Sequence, residues 1–97
     1  MKTTDTTGQL ISGSGVTVAY TGTAGRVATT APSKYVRVVS TTDCFIEITS
    51  NGKLAIANTG AFLPAFSPEY FQCPSDTPYV SAIQVSAGGS IYVVSIA

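Results

Sequence analysis

No stretch of eleven or more residues in this chain keeps a helical period. From Val16 onward, apolar residues recur instead in short runs of period two, broken by Gly, Pro, Asn or Ser at intervals of about eight to twelve residues. The runs are VTVAY (16–20), RVATT (26–30), YVRVVS (35–40), DCFIEIT (43–49), KLAIA (53–57), EYFQC (69–73), VSAIQVS (80–86) and SIYVVSI (90–96). Thr, Val, Ile and Tyr dominate them, residues that sit well on a pleated, half-buried surface. Strands this short, with no helices to cover a sheet, must cover one another. The sequence therefore predicts an all-β fold, a two-sheet antiparallel β-sandwich that is jelly-roll-like or immunoglobulin-like. Its 97 residues leave room for one core, placed over residues 16–97 as a single domain.

The connections carry their own signals. Residues 1–15 are rich in Thr, Gly and Ser and offer only Leu10 and Ile11 for burial, so they are expected to form a flexible N-terminal arm. Asn51-Gly52 tolerates the positive φ of a tight hairpin and predicts that KLAIA returns beside DCFIEIT. Ala87-Gly88-Gly89 predicts a second hairpin between the last two runs. In AFLPAFSPEYFQCP (61–74), Pro64 and Pro68 cannot donate to a ladder and so bracket a rigid corner. That corner delivers EYFQC to the other sheet and lets Phe62, Leu63 or Phe66 plug the end of the core.

Alternation assigns the faces. In DCFIEIT, Cys44, Ile46 and Ile48 point inward and leave Phe45 outside. In EYFQC, Phe71 and Cys73 go together, opposite Tyr70 and Gln72. The last run is apolar on both sides, with Ile91 and Val93 on one and Tyr92, Val94 and Ile96 on the other. One core can bury only one of those sides, so the second needs a loop, the arm or another molecule. The candidate interface residues are accordingly Leu10, Ile11, Phe45, Phe66, Tyr70, Tyr92, Val94 and Ile96.

Catalytic chemistry has little to work with. The chain has no histidine, which removes the commonest general base and the histidine-dependent triads. Asp43, Glu47, Glu69 and Asp76 read as surface charges that keep strands soluble. Cys44 and Cys73 fall on core faces and match no metal spacing, so they are expected as two buried thiols, with a disulfide between them the lesser alternative. The glycines of SGSG (12–15) and AGG (87–89) open no helix and are followed by no Lys-Ser/Thr pair, so they belong to turns. No enzyme activity, no cofactor and no metal is expected.

Five basic and five acidic residues cancel and are scattered singly, which gives no electrostatic case for nucleic acid or a membrane surface as partner. No signal-peptide-like or membrane-spanning apolar run is present, so synthesis in a cytoplasm is expected. A weakly charged surface gives a free monomer little colloidal protection and suits a protein that works by attachment. Exposed aromatics also admit a carbohydrate-binding module, although such modules often stack sugars on tryptophan, and none is present.

From Tyr35 to the C-terminus the chain resembles a group of small tailed-bacteriophage virion proteins. The resemblance rests on Asp43-Cys44-Phe45-Ile46, on Leu63-Pro64-Ala65 with Pro68-Glu69-Tyr70-Phe71, and on Ile83-Gln84, Ser86-Ala87, Gly89 and Ile91-Tyr92-Val93. It implies a virion structural protein at the capsid surface, made in the host cytoplasm. A capsid decoration or cement protein seated on the major capsid protein is the leading expectation, as a homo-oligomer with a trimer favoured. A head–tail or tail component is the alternative within that class.

Overall fold

The computed structural model describes residues 10–96. Eight strands follow in order: β1 (Val16–Tyr20), β2 (Gly25–Ala28), β3 (Tyr35–Ser40), β4 (Cys44–Thr49), β5 (Ala61–Leu63), β6 (Glu69–Gln72), β7 (Tyr79–Gln84) and β8 (Gly89–Ile96). They form two antiparallel four-stranded sheets, sheet A in the order β1-β8-β3-β6 and sheet B in the order β2-β7-β4-β5. The pairs β1–β8, β2–β7, β3–β6 and β4–β5 nest within one another like a single long hairpin. Rolling that hairpin over itself adds the β3–β8 and β4–β7 ladders and gives the eight-stranded jelly roll, one of the two topologies left open by the sequence. Among the described residues no helix is long and apolar enough to cross a membrane.

The core lies between the inner faces. Val36, Val38, Ile91 and Val93 of sheet A meet Cys44, Ile46, Leu63, Val80 and Ala82 of sheet B, and Phe71, Cys73 and Ile48 pack against them. Burying side chains of this size contributes about 1.5–3 kcal/mol each. Tyr20 closes one end, its ring in the core and its hydroxyl donating to the carbonyl of Thr42 at 2.9 Å. Every inner position assigned by alternation in DCFIEIT and EYFQC faces this core.

Two expected hairpins are corrected. β7 and β8 lie in different sheets, so the Ala87-Gly88-Gly89 turn joins the layers instead of neighbouring strands. Asn51-Gly52 does turn the chain, with Gly52 at φ 79, but KLAIA forms no strand. The Thr49 hydroxyl accepts the amides of Gly52 and Lys53, and Asn51 Oδ1 also accepts Lys53 N, which curls the backbone away from β4. The chain then crosses the outer face of sheet B, where the buried amide of Ala55 donates to Ser81 Oγ at 2.8 Å. A second reversal, with Asn58 at φ 63 and Gly60 at φ 88, lets Ala61–Leu63 become the true partner of β4.

The 64–68 segment is the corner expected from its prolines. Phe66 N donates to Ser40 O at 2.8 Å and Ala65 N to Asp43 Oδ1 at 2.9 Å, tying the connection to the ends of β3 and β4. Leu63 is the plug, fully buried, whereas Phe62 and Phe66 stay exposed. Of the arm expected over 1–15, residues 1–9 lie outside the described residues. Leu10 bridges Ile96, Ile11 N donates to Ser95 O, and the buried Ser14 hydroxyl accepts Ser95 N, so pairing with β8 begins ahead of Val16.

Candidate contact faces

Among the described residues, the outer face of sheet A stands open. Register sets its rows: Thr17–Tyr92–Val39 across β1, β8 and β3, then Val94–Arg37–Tyr70 across β8, β3 and β6, then Tyr35 beside Gln72. Tyr35, Tyr70 and Tyr92 are 47%, 50% and 48% exposed, and Val39, Val94 and Arg37 are half-buried between them. At the β1 margin a shallow depression of about 240 Å³ is lined by Gly15, Thr17, Tyr92 and Val94, deepened because Gly15 has no side chain.

Sheet B is only partly bare. The 53–57 crossing roofs Ser81, and the Arg26 guanidinium lies 5.4 Å from the Tyr79 ring and donates to Gly52 O, which pins the same loop. Beyond that roof, Phe62, Phe45 and Ile83 stand side by side across β5, β4 and β7. The Phe45 and Phe62 rings pack edge to face with centroids 5.8 Å apart. The exposed Val85 continues this patch along the chain from Ile83.

The expected contact residues thus divide. Tyr70, Tyr92 and Val94 share the outer face of sheet A; Phe45 is on the opposite side of the molecule; Phe66, 73% exposed at φ 57, stands on the corner loop. Leu10 is exposed and Ile11 half-buried at the end of β8. Ile96 is corrected: at 3% exposure, paired with Tyr35 on one side and Leu10 on the other, it has no surface to offer. Sequence reasoning missed Tyr35, Arg37 and Val39, although their alternation within YVRVVS places them on one face. It also missed Phe62 as the partner of Phe45.

Compared with protein-family models, with curated proteins and with solved structures, the chain matches none.

Both cysteines are free and sit toward opposite ends of β3, Cys44 near Ser40 and Cys73 beside Lys34. Burial pushes the Cys44 thiol above its ordinary value despite hydrogen bonds from Ser40 and Tyr20, and burial likewise raises Cys73. A thiol kept protonated is a poor nucleophile. The cleft at the open seam between β4, β5 and β6, about 250 Å³, is floored by Ile46, Ile48 and Phe71, with Glu47 as its one carboxylate. Among the described residues no group of three or more His, Cys, Asp or Glu could hold a metal ion.

Proposed function

We propose that this chain is a bacteriophage virion structural protein, a capsid decoration or cement protein that binds at capsomer junctions on the assembled head. The observation that carries this reading is the presence of exposed aromatic residues on both outer faces of the sandwich. A sandwich needs apolar inner faces only. Here Tyr35, Tyr70 and Tyr92 stand on one outer face and the Phe45–Phe62 pair on the other. Two opposed patches allow one molecule to bridge two partners, which is what a cement must do. The resemblance of DCFI, LPA and PEYF and the closing segment to virion proteins supplies the context, and the near-absence of charge fits a life spent attached.

The mechanism follows from linkage. A protein that binds the assembled lattice better than loose capsid subunits stabilises the shell by mass action. Each patch is small, so tight attachment requires several at once, as a homo-oligomer, a trimer favoured, would provide over neighbouring capsid subunits. In this reading the working surface is contact, with no substrate turned over and no cofactor bound. The fold itself does not choose, because jelly rolls serve capsids and sugar-binding lectins alike. The three exposed tyrosines lend specific support to the rival, a carbohydrate-binding module.

Light scattering of the purified protein with and without empty heads separates the two. Cosedimentation with heads and a raised head-disruption temperature are expected. A monomer that ignores heads yet is retained on a polysaccharide column would replace the cement reading with the carbohydrate one.

A further inference from the structure

Arg37 occupies the middle of the tyrosine face. It stands opposite Val94 across the β3–β8 ladder and opposite Tyr70 across the β3–β6 ladder, with Tyr35 and Val39 on the same side of its own strand. Strands lie about 4.8 Å apart and same-face residues about 7 Å apart along a strand, so Tyr35, Tyr70 and Tyr92 form a triangle around it. None of these neighbours is a carboxylate. Covering the guanidinium of the half-buried Arg37 with a purely apolar surface would strip its water and return nothing.

We propose that the outer face of sheet A docks a different protein whose surface presents a carboxylate within an apolar rim, with Arg37 as the central anchor and the three tyrosines as its surround. The inference deepens the contact role proposed above and rests on it for the identity of the partner. Arg and Tyr are the residue types that concentrate binding energy at interface centres, and a planar guanidinium meets a carboxylate with two parallel hydrogen bonds.

Charge and area choose this occupant over a second copy of the chain. Stacking two copies about a twofold axis is self-complementary contact, which sets one Arg37-centred patch against another. Like charges in the desolvated middle of a contact cost affinity. The face is also small: four strands and three rows span roughly 20 by 20 Å, about 400 Å². A standard interface buries about 800 Å² on each partner, so two copies held by this face alone would separate. A partner that repeats the same acidic site many times holds through avidity. A neutral sugar fits less well, because Val39 and Val94 flank Arg37 on the platform and a neutral hydroxyl leaves the guanidinium charge unpaired.

Three measurements test the proposal on the full chain. Sedimentation velocity of the wild type and of Arg37→Glu should give the same mass; a change of mass in the variant would make a second copy the occupant and overturn it. Cosedimentation with empty heads should weaken at least about tenfold in Arg37→Glu, with Arg37→Lys between the two, as expected for reversing one member of a buried charge pair. Equal binding by Arg37→Glu would also overturn it.

If the wild type does not bind heads at all, the virion reading fails, and the face is then judged by amide chemical-shift titration. The probes are the capped peptide Leu-Glu-Leu, its Leu-Gln-Leu counterpart and cellohexaose. Shifts at Tyr35, Arg37, Tyr70 and Tyr92 that need the glutamate and vanish in Arg37→Gln uphold the carboxylate partner. Absent shifts, equal shifts with the glutamine peptide, or stronger shifts with the sugar overturn it. Thermal unfolding of each variant within a few degrees of the wild type shows that the fold is retained.

Discussion

The amide of Ala55 donates to the hydroxyl of Ser81 at 2.8 Å, and that hydroxyl donates in turn to Gly25 O at 2.7 Å. Through this relay the 50–60 loop, the outer face of β7 and the start of β2 are one unit. It holds a roof over part of the outer face of sheet B, whereas among the described residues sheet A carries none. The asymmetry leaves the tyrosine face and the Phe45–Phe62 patch as separate surfaces.

Ser81→Ala should remove both bonds and leave the buried Ala55 amide without its partner, at a cost of about 1–3 kcal/mol. Denaturant unfolding measures the loss. Faster amide exchange at Ala55 than at core amides such as Val38 would locate it in the loop. An unchanged midpoint would show that the relay contributes nothing.

Leu63→Ala and Phe66→Ala should behave in opposite ways, although only Pro64 and Ala65 separate the two residues. Leu63 is fully buried between the sheets, and truncating it should cost about 2–5 kcal/mol through lost burial and a cavity. Phe66 is exposed at φ 57, so its loss should leave the melting temperature nearly unchanged. Calorimetry of the two variants decides.

Gly60→Ala should destabilise for two reasons that add. An alanine at φ +88 adopts a conformation that L-residues avoid, worth about 1–3 kcal/mol. Its Cβ would also lie 2.7 Å from Ile46 O, at the place where β5 begins to pair with β4. The expected readout is a lower unfolding midpoint with early loss of protection at Ile46 and Ala61.

Stability should be level through neutral pH and fall on the alkaline side. Burial raises the folded Cys44, Cys73 and Tyr20 above their ordinary values. Above about pH 8.5 the unfolded thiols lose protons that the folded ones keep, so the unfolded state binds fewer protons and stability declines as pH rises. The decline continues until the folded groups ionise. Melting temperatures at neutral pH and near pH 10 should differ, and Cys44→Ala should show a shallower decline than the wild type. A wild-type melting temperature that holds steady into that range would remove these groups from the account.

Much of the architecture was legible in the chain because the pleat is a local property. Alternation alone set Cys44, Ile46 and Ile48 inward and Phe45 outward, and did the same for Phe71 against Tyr70. Proline chemistry located the corner at 64–68. Where the reading failed, a contact distant in sequence had overridden a local preference. Asn51-Gly52 is a good hairpin turn, yet the chain after it is drawn across to Ser81, and β4 waits for Ala61–Leu63. The candidate site was legible only in pieces, since Tyr70, Tyr92 and Val94 were marked as outward and Arg37 was not.

What the sequence by itself determined is the fold class, the single core and the inward or outward sense of most strand residues, because those follow from a period of two and from turn residues acting over a few positions. What only the tertiary structure decided is which strands lie side by side and in what register. Arg37, Tyr70 and Tyr92 share one patch only because β3 is held between β6 and β8, and the Phe45–Phe62 pair exists only because β5 displaced the expected strand. Such pairings join segments far apart along the chain, and their choice rests on the mutual fit of two whole sheets, which no short stretch of residues encodes.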